Sequence, residues 1–327
     1  MKSFENINAK SVKEAVGLLQ KFHGEKKTAQ VVSGGTELLQ LMKERVATPQ
    51  LLINLKTIPG LSYIKEERSG FRIGALTTLT EIEENGNVQE KLLFLSQAAG
   101  EAASPQLRNA GTIGGNICQR PFCWYFRSAS FTCLRKGGEL CYAVAGDSRF
   151  HAILGGGPSY IVHPSDMAPA LIAFGTRIKI AGPAGEKTIP LEKFFVLPQV
   201  EYKRENILQP GEIVTEIQIP HPRTGSKGFY HKVRERQAWD HPIVSVSTVL
   251  QAKDGVCQEA RVVLGGVAPI PWRAAKAEAF LRGKKVDEGA ARQAGEIALD
   301  GARPMKDNGY KVDLAKSLVQ RALLASV

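Results

Sequence analysis

The residues that carry the most chemistry in this chain lie between Gly111 and Asp166, in the run GTIGGNICQRPFCWYFRSASFTCLRKGGELCYAVAGDSRFHAILGGGPSYIVHPSD. Gly111, Gly114 and Gly115 open it. Cys118, Cys123, Cys133 and Cys141 follow, with four, nine and seven residues between successive cysteines. Glycine has no Cβ and lets backbone N–H groups close on a phosphate. Clustered thiolates bind soft metals and redox clusters. Together these residue types point to a site that handles electrons.

The cysteine spacing narrows that chemistry. Structural zinc usually draws on closely spaced pairs, and no C-x-x-C pair occurs. Disulfides are disfavoured in a large chain whose first residues, MKSFENINAKSVKEAVGLLQ, show no apolar signal core. An iron–sulfur cluster takes thiolates from a folded loop at irregular spacing, and this is the leading reading of the four. Cys257 stands apart in a strand-rich region. The six histidines show no metal-ligand spacing, so His151 and His163 read as structural or supporting residues.

A second glycine turn lies 80 positions earlier, in VVSGGTELLQLMK. There Ser33, Gly34 and Gly35 separate a short apolar strand at Gln30–Val32 from a helical run at Thr36–Glu44. A helix start after such a turn presents unpaired N–H groups to an anion. Two turns of this kind hold one extended diphosphate cofactor if the fold brings them together; spacing alone leaves them as two separate tight turns.

Other elements must carry these loops. A helix is predicted over Ser11–Phe22, with Ser11 as N-cap and Val12, Ala15, Val16, Leu18 and Leu19 on its apolar face. Strands are predicted at Leu51–Leu55 and Phe71–Gly74, and helices at Thr78–Asn85 and Leu92–Ala103, the latter ending before Pro105. Met167–Phe174 reads as a helix leading into a strand at Arg177–Ala181. The alternation of Ile213–Ile219 marks a strand closed by Pro220, with a linker at His221–Lys227. Strands at Ile243–Gln251 and Ala260–Leu264, then helices at Ala274–Leu281, Glu288–Leu299 and Val312–Ala325, make a second α+β unit.

Composition bounds the class. The 327 residues suit two domains, and 43% apolar with 23% charged residues is a soluble globular balance. No apolar run approaches the roughly 20 residues of a membrane span. A cytoplasmic protein is expected, unless a signal-bearing partner exports it. The net charge of +11 is spread along the chain, aromatics are 7%, and no nucleic-acid motif accompanies it, so no nucleic-acid partner is expected. The densest basic stretch, HPRTGSKGFYHKVRER, suits an anionic cofactor or an acidic subunit equally well.

The segments VVSGGTELLQLMK, QLRNAGTIGGNICQR, HPSDMAPALIAFG, FYHKVRERQAWD and LGGVAPIPWRA, in this order over nearly the whole chain, resemble the FAD-binding subunit of the molybdenum hydroxylases. That family includes xanthine dehydrogenase, carbon monoxide dehydrogenase, bacterial aldehyde oxidoreductases and 4-hydroxybenzoyl-CoA reductase. The resemblance implies an α+β fold: a two-subdomain FAD-binding domain of the vanillyl-alcohol oxidase type over 1–220, then a small α+β domain of the CO dehydrogenase flavoprotein C-terminal type over 226–327. It implies that Val32, Ser33, Gly34, Gly35, Thr36, Glu37 and Leu38 form a first pyrophosphate loop, and Gly111, Thr112, Gly114, Gly115 and Asn116 a second. Asp166 would contact the FAD at its adenosine part. Lys232, Ile213, Val214 and Tyr230 would lie near the isoalloxazine, and Asp166 has the rival role of capping the helix after it.

The stretch between Ile117 and Ser165 is too long for an idle loop. It resembles the insert of the aldehyde oxidoreductase and 4-hydroxybenzoyl-CoA reductase branches, which carries a 4Fe-4S cluster. Cys123, Cys133 and Cys141 match three of its ligands, in the insert at about 118–160. Aldehyde-type relatives place the fourth cysteine just before HPSD, where this chain has Ser159 and Tyr160. Cys118 is the favoured replacement, with Ser159 ligation or a lost cluster as the other outcomes. The implied function is electron transfer, with no catalytic acid, base or nucleophile in this chain. The implied partners are a molybdopterin-binding large subunit and a small subunit with two 2Fe-2S clusters. An autonomous flavin oxidase and a metal-sensing binding module are the competing classes.

Overall fold

The computed structural model describes residues 1–237 and 239–327. The chain begins with a small parallel sheet of β1 (Glu5–Asn8), β2 (Ala29–Val32) and β3 (Leu51–Asn54), in the order β1-β3-β2. Leu51, Leu52 and Ile53 are all buried, as a central parallel strand requires. Helix α1 (Val12–Gly24) starts where the Ser11 hydroxyl accepts from the Glu14 N–H, and it buries Ala15 and Val16 against this sheet. Helix α2 (Leu38–Lys43) follows the first glycine turn.

A second sheet has the order β4-β5-β8-β6-β7 and is antiparallel throughout: β4 (Ile64–Glu67), β5 (Gly70–Gly74), β6 (Arg177–Gly182), β7 (Gly185–Pro190) and β8 (Ile213–Pro220). Its core of Phe71, Ile73, Ile178, Ile217 and Ile219 packs with helices inserted between β5 and β6. These are α3 (Leu79–Glu84), α4 (Gly86–Lys91), α5 (Leu93–Gly100), α6 (Pro105–Arg108), α7 (Ile113–Ile117), α8 (Trp124–Arg127) and α9 (Met167–Ala173). Thr78 and Glu81 form a reciprocal capping box at the start of α3.

The last third is a four-stranded antiparallel sheet, β12-β11-β10-β9, backed by three helices. Its members are β9 (Ser226–Val233), β10 (Val244–Lys253), β11 (Val256–Gly265) and β12 (Trp272–Arg273), with α10 (Ala275–Leu281), α11 (Glu288–Ala298) and α12 (Tyr310–Ala325). Val244, Val246, Val262 and Leu264 face Ala294, Leu318, Val319 and Ala322 in its core. Tyr230 and Val263 join the central core instead, so this sheet is seated on α9.

Four strands were not anticipated, β1, β4, β7 and β12, all of them sheet edges, and the first three are polar. Their sequences ENIN, IKEE and GEKTIP carry charge rather than apolar alternation, which suits an edge and hides a strand from periodicity. Strand β9 starts at Ser226, inside the stretch read as linker. Helix α2 is shorter than Thr36–Glu44, and α5 ends at Gly100 rather than Ala103. The second glycine segment is not a plain turn but the helix α7, begun by Thr112, whose hydroxyl accepts from the Gly115 N–H.

Candidate functional site

The fold joins the two glycine segments. Ser33 Oγ and Thr112 Oγ1 are hydrogen-bonded at 3.0 Å across 79 residues of sequence. Gly34 packs so tightly that an added Cβ would lie 1.9 Å from the Ala110 carbonyl oxygen. Gly35 takes a φ of +72°, which turns the chain into α2. Among the described residues, the backbone N–H groups of residues 34–38 bond to no protein acceptor. A run of free donors at a turn makes a concavity suited to an anion. In the second segment the N–H groups are already used, Ile113 to the Thr77 carbonyl and Gly114 to the Ala75 carbonyl, so α7 supplies a wall rather than donors.

Between these segments runs a cleft of about 1250 Å³. Val32, Ser33, Gly34, Gly35, Thr36, Glu37, Leu38, Gly111, Thr112, Gly114, Gly115, Asn116, Asp166, Ile213 and Val214 all line it. Its charged lining comprises eight Lys or Arg residues and four Asp or Glu residues, which gives part of the net positive charge a location suited to an anionic ligand. Tyr230 and Lys232 do not line the cleft among the described residues. They stand behind Asp166: the Tyr230 hydroxyl donates to Oδ1 at 2.8 Å and Lys232 Nζ to Oδ2 at 2.9 Å.

A direct ion pair joins Asp166 to Lys232 at 2.9 Å, which places the two residues side by side. Asp166 also does not cap α9; the Ser165 hydroxyl does, accepting from the Ala168 N–H at 2.9 Å. Lys232 further donates to the Glu101 carbonyl, and its side chain is wholly buried. Burial raises the Asp166 carboxyl pKa, and the Lys232 ammonium and Tyr230 hydroxyl oppose that rise. Burial likewise pushes the Tyr230 hydroxyl well above its usual value.

The cysteine-rich insert forms one wall of the cleft through Phe126, Arg127, Phe131, Thr132, Arg135 and Lys136. Arg127 on α8 donates from one Nη to both oxygens of Glu37 at 2.8 Å, tying the insert to the first glycine loop. Burial raises the Glu37 pKa against the pull of Arg127. Arg120 and Arg135 converge on the buried carboxylate of Glu205.

Cys123 and Cys133 are buried with Leu41, Phe126 and Ile161. Burial lifts the Cys123 thiol to about 11, and Cys141 and Cys133 add to the rise. Cys118 is not with them. It caps the end of α7, packs against the central core and lines the cleft. Burial first, then Glu205, pushes its thiol up to about 12. Cys257 is buried in β11, in the C-terminal core. His151, read as structural, is buried with Nε2 3.3 Å from Cys123 Sγ. Among the described residues no three Cys, His, Asp or Glu side chains are arranged to hold a single metal ion. The expected cluster site therefore has no assembled set of ligands among the described residues.

Sequence reasoning missed Arg120, Arg127, Arg135, Trp239 and His241 as lining residues. Their spacing carries no signal, since they reach the cleft from the insert and from the loop after β9. Ala238, within the segment FYHKVRERQAWD, lies outside the described residues.

Residues 2–222 match the family model of the FAD binding domain in molybdopterin dehydrogenase, and residues 229–326 that of the CO dehydrogenase flavoprotein C-terminal domain. The chain is 35% identical to the aldehyde oxidoreductase FAD-binding subunit PaoB of Escherichia coli (strain K12), over 99% of this chain and 98% of that one. It is 30% identical to the carbon monoxide dehydrogenase medium chain of Hydrogenophaga pseudoflava, over 99% and 96% of the two chains. A solved structure of carbon monoxide dehydrogenase from that organism superposes with a TM-score of 0.79 at 30% identity, over 99% of this chain and 97% of the other. With both family models matched in order and the cleft between the glycine segments, the chain belongs to the FAD-binding medium subunits of the molybdenum hydroxylase family.

Proposed function

We propose that this protein is the electron-transfer flavoprotein subunit of a molybdopterin-dependent oxidoreductase complex, of aldehyde oxidoreductase, xanthine dehydrogenase or 4-hydroxybenzoyl-CoA reductase type. The observation that carries the reading is the single cleft walled on one side by two glycine segments and on another by the cysteine-rich insert. Two redox groups held there would be neighbours. When bound, FAD exchanges single electrons with iron–sulfur centres and pairs with an external acceptor.

The residues divide the work of holding that cofactor. The free N–H groups of residues 34–38 receive the pyrophosphate, and Thr112, Gly114, Gly115 and Asn116 close the opposite wall. Ile213 and Val214 give an apolar surface for the ring system, and Asp166 fixes a polar group at the cleft wall. Tyr230 and Lys232 act through Asp166, holding its carboxylate in one orientation. FAD-domain residues 1–220 and the C-terminal domain 226–327 flank the linker, and the insert at about 118–160 holds a 4Fe-4S cluster on Cys123, Cys133 and Cys141. A molybdopterin-binding large subunit performs the chemistry on the organic substrate, and a small subunit with two 2Fe-2S clusters relays electrons. The cytoplasm, or export with a signal-bearing partner, suits such a subunit.

Anaerobic affinity purification after co-expression with the neighbouring genes tests this reading. About one FAD per chain, with co-purifying large and small subunits, is the expected result, together with about four iron and four acid-labile sulfide. A lone chain whose flavin is bleached by a small alcohol would instead identify an autonomous oxidase. FAD and partners without iron would leave a plain flavin relay and remove the cluster from the proposal.

A further inference from the structure

We propose that Arg120 and Arg135, gathered on Glu205, form a second anion subsite of the cleft, which takes a phosphate group of a molecule other than the cofactor. The inference rests on the reading of the cleft as the FAD site and goes beyond it. The free N–H groups of residues 34–38 serve the cofactor's pyrophosphate. This subsite is built on other elements, the insert and the segment between β7 and β8.

Its first support is charge. Arg120 Nε lies 2.7 Å from Glu205 Oε2, and Arg135 Nη2 donates to Glu205 Oε1. One carboxylate therefore faces two guanidiniums, and arginine keeps its charge at any working pH. The Glu205 side chain is 4% exposed and that of Arg135 3%, so the surplus charge sits in a wall withdrawn from water. An unmatched charge in such a place draws a counterion. The other acid that acts on Arg120 is Glu37, and Arg127 already takes both of its oxygens.

The second support is unspent donors within reach of a ligand. A guanidinium carries five N–H donors. Arg135 Nε is buried without a hydrogen-bond partner among the described residues, and Arg120 Nε meets Glu205 out of line for a hydrogen bond. Arg120 spends one donor on the Lys203 carbonyl at 3.1 Å. Both arginines line the cleft, and the Arg120 side chain is 34% exposed, set 4.8 Å over the Phe126 ring. Arg120 is thus the group a ligand reaches, and Arg135 is the charge behind it. The planar edge of a guanidinium matches two phosphate oxygens at once. A latch that only tied the insert to the segment after β7 would be better served by one arginine, since a second on the same carboxylate adds repulsion between like charges.

The test is calorimetric titration of inorganic phosphate into the full chain at low salt, with FAD bound and after FAD has been stripped. One phosphate per FAD-loaded chain is the expected result. Arg120→Gln should weaken it about tenfold, and Arg120→Lys, which keeps the charge but not the planar edge, should fall between. Glu205→Gln removes the competing carboxylate and should tighten phosphate about tenfold, the opposite of what loss of a latch would do. Circular dichroism and bound FAD show whether each variant has folded; if Glu205→Gln does not fold, the two Arg120 variants decide. Phosphate that binds only the stripped chain overturns the proposal, because the subsite then belongs to the cofactor's own phosphates. So does the lack of saturable binding, or binding indifferent to Arg120→Gln. A chain that takes no FAD overturns the cofactor reading instead, and the subsite then stands or falls by the Arg120→Gln loss.

Discussion

Gly34 leaves no room for a side chain, because its Cβ would fall on the Ala110 carbonyl and nothing flexible can give way. Gly34→Ala should cost about 3 kcal/mol, at the upper end of overpacking penalties. Urea unfolding and released flavin per chain measure it, and near-wild-type values of both would refute the contact. The Asp166–Lys232 pair gives a sharper contrast. Lys232→Met strands a buried carboxylate and should destabilise by about 3–5 kcal/mol, while the double variant with Asp166→Asn should recover much of that loss. The glycines were legible from the sequence because only glycine meets those steric demands. Lys232 was legible as a residue but not in its role: that it faces Asp166 rather than the cleft depends on a strand pairing far along the chain, Lys232 opposite Ser245.

At the scale of elements, α8 is fastened to the start of α2 by the Arg127–Glu37 pair and by Leu41 packed beside Cys123 and Cys133. Arg127→Gln should weaken FAD binding by about tenfold, read as released flavin per chain. In a double-mutant cycle with Glu37→Gln, coupling of about 1 kcal/mol is expected for such contacting residues. Coupling near zero would mean that the insert and the loop are held by apolar packing alone. The long amphipathic helices and central strands were legible from periodicity, because they bury one regular face. The edge strands were not, since solvated charges rather than apolar residues mark them. The short helices of the insert were hidden for a related reason: tertiary contacts hold Trp124–Arg127, while four residues are too few for a pattern.

Across the whole molecule, histidines withdrawn from solvent contribute to the response to acid. Burial lowers His163 and His241 from 6.5 to about 4, so each stays neutral in the folded protein while the unfolded chain takes up a proton. Their contribution is complete above pH 6.5 and is lost as the pH falls from there toward 4. Each histidine removes up to about 1.4 kcal/mol per pH unit in that window. Urea titrations at pH 7 and pH 5 should show the loss, and His163→Gln should make it shallower; equal slopes would show that His163 does not titrate with folding. The order of the chain adds a consequence of the cleft's construction. Its wall takes residues from Leu19 to His241, and its apolar surface at Ile213 and Val214 belongs to β8, the last strand of the five-stranded sheet to be made. A chain emerging from the ribosome N-terminus first therefore carries an exposed, unfinished glycine loop through most of its synthesis. The complete wall exists only once the chain has been made as far as His241, so a nascent piece shorter than that offers the cofactor only part of its cleft.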